Sequence, residues 1–219
     1  MEESWDRAPF DMGRMIADVE QHLQLPTGTI QPFFKTEEHW VFVLKITSIV
    51  ETVLKSALFA RIRRGRYTGS FGGVLLEPSH AEEKAFRNHL FRIPLNGDIG
   101  AIKLASGYDL IADKDEAYIN TLASIRNRYA HSILNHSRSV IDIISENRDV
   151  NQVSSILKKL QYGHDLDFSL YDRGIGEIEF GALMFLARMS GRFTPPAIPE
   201  GGILGGLFSA PTDESPESE

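Results

Sequence analysis

The sequence predicts an all-α helical bundle followed by a disordered C-terminal tail. Apolar residues recur at helical spacing through most of the chain, and no stretch keeps the alternation of a β-strand. The composition is that of a globular domain, with 42% hydrophobic and 24% charged residues. Gly and Pro then dominate after Pro195, and residues 211–219 are polar and acidic, a composition typical of disorder.

The longest predicted helix begins at Thr36 and runs to about Arg64, where Gly65 is expected to stop it. It is apolar around most of its circumference, so we expect it to lie at the centre of the bundle. A short amphipathic helix within residues 1–25 precedes it. Residues 28–36 are predicted to form a loop, because a proline lies in their middle.

Further helices are predicted downstream from apolar periodicity and from start and stop signals. Ser79 and Glu82 have the spacing of a capping box. Asn96-Gly97-Asp98 is expected to cap the next helix. Asp113 and Glu116 are expected to cap the helix after that one. The two helices are predicted to form a helical hairpin. The predicted helices occupy residues 79–92, 99–111, 114–134, 139–146, 151–160 and 177–190, and residues 163–176 are predicted to be a loop.

Three regions follow from this pattern. Residues 1–36 form an N-terminal helix and loop, residues 37–193 a helical core domain, and residues 194–219 a Pro/Gly-rich and acidic tail. The tail contains one apolar cluster, which we expect to dock onto a partner protein or onto the domain's own surface. Its members are Ile203, Leu204, Leu207 and Phe208.

Composition excludes several classes of function. The chain has no cysteine, which removes disulfides, thiolate metal sites and cysteine nucleophiles, and fits a reducing compartment. No run of about 18 apolar residues occurs, and the N-terminus is acidic where a signal peptide is basic. We therefore expect a cytoplasmic protein with no membrane partner. The histidines lack metal-ligand spacing and no phosphate-binding glycine loop occurs, so we expect no metal and no cofactor.

One basic cluster stands out against the net charge of −7. An acidic chain binds nucleic acid only through a local positive patch, because attraction to phosphate depends on local potential. The cluster can bind RNA phosphates, with its tyrosine stacking on a base. Alternatively, its cations offset the helix macrodipole and stay solvated. Its members are Arg61, Arg63, Arg64, Arg66 and Tyr67.

The candidate catalytic residues are Arg126, Asn127 and His131, near the end of a predicted helix. Asn127 and His131 are four residues apart and share a face, whereas Arg126 lies about 140° from His131. The three are expected to line one broad polar face, and a twofold axis would bring two such faces into one cleft. His131 suits proton transfer and Arg126 suits phosphate binding, which together favour metal-independent RNA cleavage. Asn127 would orient the histidine or contact the phosphate.

Two structural alternatives accompany this interpretation. Arg126 can cap the helix end, and His131 can be a structural histidine that hydrogen-bonds a carbonyl. Glu51 is a supporting residue, because a carboxylate on an apolar helix needs a partner. We expect Arg126 or Arg128 to pair with it, unless Glu51 lies on the solvent side of its helix.

The Arg-Asn-x-x-x-His run, late in a helix of an all-α domain, resembles the motif of the HEPN superfamily. A longer stretch is similar to the mannitol operon repressor (MltR) family, and the similarity covers roughly residues 37–136. The matching segments are Ile49–Leu54, Gly97–Ala105, Asp109–Ile111, Asp115–Tyr118 and Ser124–Ser132.

The resemblance implies two functions. HEPN proteins include ribonucleases of toxin–antitoxin and phage-defence systems, which implies RNA as a partner and a symmetric homodimer. The MltR name implies instead a non-catalytic regulator that acts through protein–protein contacts. One departure is Ile133, which stands where a group of HEPN toxins carries tyrosine. MltR-like proteins also lack a recognisable DNA-reading helix.

Overall fold

The computed structural model describes residues 12–35, 38–68, 79–164, 166 and 174–193, and shows a helical bundle without strands in those ranges. The predicted fold class is therefore confirmed. The predicted tail lies outside the described residues. The helices are α1 (Met12–His22), α2 (His39–Thr68), α3 (His80–Arg92), α4 (Ala101–Gly107), α5 (Asp113–Ala130), α6 (Val140–Ser145), α7 (Val150–Leu160) and α8 (Ile175–Phe193), with 3-10 turns at Gln31–Lys35 and Ile133–Asn135.

The centre of the bundle is α2, as predicted. It packs against α5 and α8 and also contacts α3 and α4. Phe42, Val50 and Leu58 are fully buried, and they lie about two turns apart along the helix. Burial of each such side chain stabilises the fold by about 1.5–3 kcal/mol, so α2 is held mainly by packing rather than by helix propensity.

The predicted end of α2 is wrong. The helix continues through Gly65 to Thr68. Glycine inside a helix costs only about 1 kcal/mol relative to alanine, which a long packed helix tolerates. At the other end α2 begins at His39, and the predicted start at Thr36 lies outside the described residues.

The start signals succeed at α3 and fail at α4. Ser79 caps α3 as predicted, and its main-chain N–H donates to Glu82 at 2.8 Å. The predicted Asn96–Asp98 cap of α4 is wrong. The N-cap is Gly100, and no side-chain hydrogen bond caps the helix. α4 is also shorter than predicted, since Asp109 adopts a left-handed φ of 53° soon after the helix ends.

The helix that carries the candidate site, α5, also differs from the prediction at both ends. Asp113 and Glu116 do not form the expected cap. Instead Asp115, which is fully buried, accepts from the Ala112 N–H at 2.8 Å and pairs with Arg188 of α8 at 3.2 Å. The helix ends at Ala130 rather than at Leu134, because the chain turns extended at Ser132 (φ −147°).

The N-terminal piece packs on the bundle through α1, which lies against α8. Ile16 and Val19 of α1 are buried in the same hydrophobic core as α2. The connection to α2 is fixed by the buried Glu20, which accepts from the main-chain N–H groups of Gly28 at 2.7 Å and Ile30 at 2.6 Å. None of the helices in the described ranges has the length and apolar character that crossing a membrane requires.

Candidate functional site

A polar cleft of about 560 Å³ opens beside the C-terminal end of α5. One wall is α5 itself, and the other is formed by the 3-10 turn that follows it and by the loop before α4. Two of the three candidate catalytic residues line this cleft. The lining residues are Asn96, Ser124, Asn127, Arg128, His131, Ser132 and Asn135.

His131 is the C-cap of α5, and its main-chain N–H donates to the Asn127 carbonyl at 3.0 Å. Its side chain is exposed, and its imidazole has no hydrogen-bond partner among the described residues. The nearby His136 behaves differently, because its ring stacks on Trp40 at 4.4 Å and its Nε2 lies 3.2 Å from the Tyr129 carbonyl. A structural role is therefore filled by His136, while the His131 imidazole remains available for a ligand.

Arg128 forms the fixed base of the cleft. Its guanidinium donates to the Ile143 carbonyl and to the Glu146 carboxylate, both in short contacts. The Arg128 carbonyl in turn accepts from Asn135 Nδ2 at 2.7 Å. These bonds join the end of α5 to α6, so they fix the position of the Arg128 guanidinium at the base of the cleft.

A second arginine shares the same carboxylate. Arg138 donates to Glu146 at 3.0 Å, to Asn135 Oδ1 at 3.1 Å and to the Asp142 carbonyl at 3.1 Å. Two guanidinium groups therefore share one carboxylate next to the cleft. The charge of Arg138 also acts on the Asp142 carboxylate, so these two arginines face two carboxylates and leave no local excess of positive charge.

Replacing Arg138 with alanine should raise the pKa of Glu146, which is lowered chiefly by the Arg138 hydrogen bond and charge and less by Arg128. A lowered pKa stabilises the folded state above the ordinary value of 4.5. The part of the stability difference that comes from Glu146 should therefore be full above pH 4.5 and vanish as pH falls through the lowered pKa. The part that comes from the lost bonds to Asn135 and the Asp142 carbonyl should remain. Carboxyl NMR titration measures the shift. An unchanged Glu146 pKa would contradict this account, and Arg148→Ala is the control because Arg148 donates only to main-chain carbonyls.

Arg126 does not line the cleft that contains Asn127 and His131. The expectation that all three share one face is wrong, because 140° around a helix places the guanidinium on another side. The Arg126 side chain is half-buried, and it makes no hydrogen bond or ion pair with the residues that the structure describes. Arg128 takes its place as the cation at the cleft.

The predicted partner of Glu51 is also wrong. Its carboxylate accepts from Lys55 Nζ at 2.5 Å, one turn further along α2, and neither Arg126 nor Arg128 reaches it. Lys55 is only 3% exposed, and its ammonium also donates to the Phe91 carbonyl at 3.0 Å. The pair therefore joins α2 to the end of α3 and serves the fold.

Replacing Lys55 with alanine should lower the free energy of unfolding by about 2–3 kcal/mol. The change leaves the Phe91 carbonyl and the Glu51 carboxylate without their donor in a largely buried place. Urea denaturation followed by circular dichroism measures the loss. The control is Lys158→Ala on the exposed face of α7, which should change stability by less than about 0.5 kcal/mol. Equal stability of both variants would show that the buried pair is not stabilising.

The basic cluster at the end of α2 is only partly described. Arg61 is exposed, and Arg63 Nε pairs with Glu83 of α3 at 2.8 Å. The side chains of Arg64, Arg66 and Tyr67 lie outside the part of the chain that the structure describes. Arg63 therefore joins α2 to α3 by an ion pair, which neither of the two predicted roles of the cluster included.

Some cleft residues were missed by sequence reasoning. Ser124 lies three residues before Asn127 and seven before His131, so helical periodicity alone could have placed it on the same face. Asn96 and Asn135 come from connections on either side of α5, and their positions depend on how those connections fold back. No pattern in the sequence predicts that approach.

No group of three or more His, Asp or Glu side chains within the described ranges could hold a metal ion. The chain matches no protein-family model, no curated protein and no solved structure.

Proposed function

We propose that the cleft at the end of α5 binds single-stranded RNA and cleaves it without a metal ion. The observation that carries the proposal is the exposed His131 imidazole, which faces a polar cleft with Asn127 on its own face and no protein partner among the described residues. An imidazole in such a position can act as a general acid or base. Arg128, which lines the same cleft, supplies a cation that suits a phosphate.

The reaction requires an attack by the ribose 2′-OH on the adjacent phosphorus. A bond forms between the 2′-oxygen and phosphorus, the bond to the 5′-oxygen breaks, and the products are a 2′,3′-cyclic phosphate and a 5′-OH. The base takes the 2′-OH proton, and an acid returns a proton to the 5′-oxygen. His131 suits either role, and Asn127 and Arg128 can donate hydrogen bonds to the phosphate oxygens.

A single cleft offers only one such histidine among its lining residues. We therefore propose a symmetric homodimer in which a second copy supplies the other. Ile133 and Leu134 support this arrangement, because they are 80% and 79% exposed and lie next in sequence to Ser132 and Asn135 of the cleft. Ile99, which is 75% exposed, lies three residues after Asn96 of the cleft. Large apolar side chains exposed together typically mark a contact surface.

The resemblance of residues 37–136 to HEPN and MltR proteins agrees with this proposal. It suggests a ribonuclease of a toxin–antitoxin or phage-defence system in the cytoplasm. The structure changes one part of that comparison, since Arg128 rather than Arg126 lies in the cleft with His131.

The test is incubation of purified protein with total RNA in the presence of a metal chelator, beside a His131→Ala variant. We expect fragments with cyclic phosphate ends from the unsubstituted protein alone. RNA left equally intact by both proteins would rule out the nuclease proposal. Equal degradation by both would show that the cleavage does not depend on His131 and would contradict the proposal.

The second candidate function is a non-catalytic regulator that acts through protein–protein contacts. The exposed Ile133 and Leu134 favour it, since a surface of this kind fits a partner protein as well as a second copy. The double substitution Ile133→Asp and Leu134→Asp distinguishes the homodimeric ribonuclease from the non-catalytic regulator. If the surface forms the homodimer, light scattering should show a monomer for this variant and RNA cleavage should fall with dimerisation. If the protein is a regulator, this variant should lose binding to a partner protein, and neither the variant nor the unsubstituted protein should cleave RNA.

A further inference from the structure

An apolar groove of about 390 Å³ lies between the end of α1, the first 3-10 turn and the N-terminal half of α2. It is separate from the cleft at the end of α5, and the two share no lining residue. Its walls are mainly apolar, and the more polar lining residues are Thr29, Lys45, Ser48 and Thr52. Its apolar lining residues are Leu23, Leu25, Ile30, Phe33, Leu44 and Ile49.

The chain itself contains a segment whose chemistry matches this groove. Residues 203–208 read Ile-Leu-Gly-Gly-Leu-Phe, so two pairs of large apolar residues flank two glycines. They stand apart within residues 194–219, where the other residues are mainly proline, glycine, small polar or acidic residues. An apolar segment in such a context lowers its free energy by leaving water for an apolar surface.

The connecting chain is long enough to bring this segment to the groove. Residues 194–202 separate it from the end of α8, and three of them are prolines. Nine residues at the polyproline rise of 3.1 Å span about 28 Å. The 19 residues of α8 at 1.5 Å each are also about 28 Å long. The segment can therefore return to any level of α8, against which the groove helices α1 and α2 pack.

Charge favours the same occupant. Residues 209–219 carry four acidic residues and no Lys or Arg. Lys45 is the one charged residue among those that line the groove in the described part of the chain, and it is a cation. Docking of residues 203–208 would bring the acidic end of the chain towards this positive charge. The attraction adds to the apolar contact, although salt screens it at the surface.

We propose that residues 203–208 dock into the groove between α1 and α2 of the same chain. The docked segment covers the exposed apolar walls and tethers the C-terminal residues to the bundle. This inference is independent of the proposed RNA cleavage, because it rests on a different surface.

Cross-linking of the full-length protein tests the proposal, and the absence of native cysteine makes it clean. Thr52, which is exposed at the groove, and Ser209, next to the apolar segment, are both changed to cysteine. The control pair combines Ser209→Cys with Asn151→Cys, an exposed position on α7, which packs mainly on α5, α6 and α8. A short bis-maleimide should join the groove pair within one chain about tenfold faster than the control pair, because docking raises the local concentration.

A third protein adds Leu207→Asp and Phe208→Asp to the groove pair, and its cross-linking rate should fall to that of the control. Equal rates for the groove and control pairs would overturn the proposal. A product that joins two chains would also overturn it, since a second copy's tail would then fill the groove. An unchanged rate in the Asp variant would show that the apolar residues do not hold the segment.

Discussion

Replacing His131 with alanine should lower the rate constant for cleavage of a single-stranded oligoribonucleotide by at least about 100-fold. General acid–base catalysis by one side chain typically contributes a factor of about 10²–10⁴, and alanine removes the imidazole while leaving the C-cap backbone intact. Single-turnover kinetics with a labelled oligonucleotide measures the rate. His89→Ala, at an exposed histidine on α3, is the matched control and should retain full activity. Equal activity of both variants would remove His131 from the mechanism.

The neighbouring residues should show graded losses. Asn127→Ala should reduce cleavage by about tenfold, since one neutral hydrogen bond to the reacting group is removed. Arg128→Ala should affect both cleavage and folding, because its guanidinium also holds Ile143 and Glu146. Arg126→Ala should have little effect on cleavage, because Arg126 does not line the cleft. A large effect would show that Arg126 reaches the site of the second copy.

Replacing Gly181 with alanine should lower the free energy of unfolding by about 3 kcal/mol. A Cβ atom at this position of α8 would lie 2.6 Å from Cδ2 of Tyr118 and closer still to the Leu160 carbonyl. Both neighbours are fully buried, so relief of the overlap requires α8 to move away from α5 and α7. Chemical denaturation with two independent probes measures the effect.

The control for this prediction is Gly107→Ala, at the last residue of α4. A Cβ there meets no atom within 4 Å, so the variant should be as stable as the original or slightly more so. If neither variant lost stability, α8 would not pack as closely on α5 as the structure indicates. If both variants lost the same amount of stability, the loss would reflect a general effect of replacing glycine in this chain.

The fold was predictable where apolar periodicity is long, as in α2. Its burial on several sides follows from an apolar pattern around most of the helix, and no other part of the chain is needed to see it. The ends of helices were less predictable. Asp115 serves both the start of α5 and Arg188, which is 73 positions away in sequence, and local spacing cannot detect such a partner.

The candidate site was predictable only in its core. Helical spacing placed Asn127 and His131 together, and the structure confirms that they line one cleft. Spacing could not choose between the cations, because the role of Arg128 depends on Glu146 and the Ile143 carbonyl on the next helix. The pairing of Glu51 with Lys55 replaced the expected contact with an arginine, although the i, i+4 spacing of the two residues could have predicted it.

An NMR titration of the histidine side chains with a short single-stranded RNA tests the central claim most directly. If RNA occupies the cleft, the His131 imidazole signals should shift progressively with RNA concentration, together with the side-chain amide signals of Asn127, while those of His89 stay unchanged. Unperturbed His131 and Asn127 signals at an RNA concentration that shifts other residues would contradict the claim and place the RNA elsewhere on the surface.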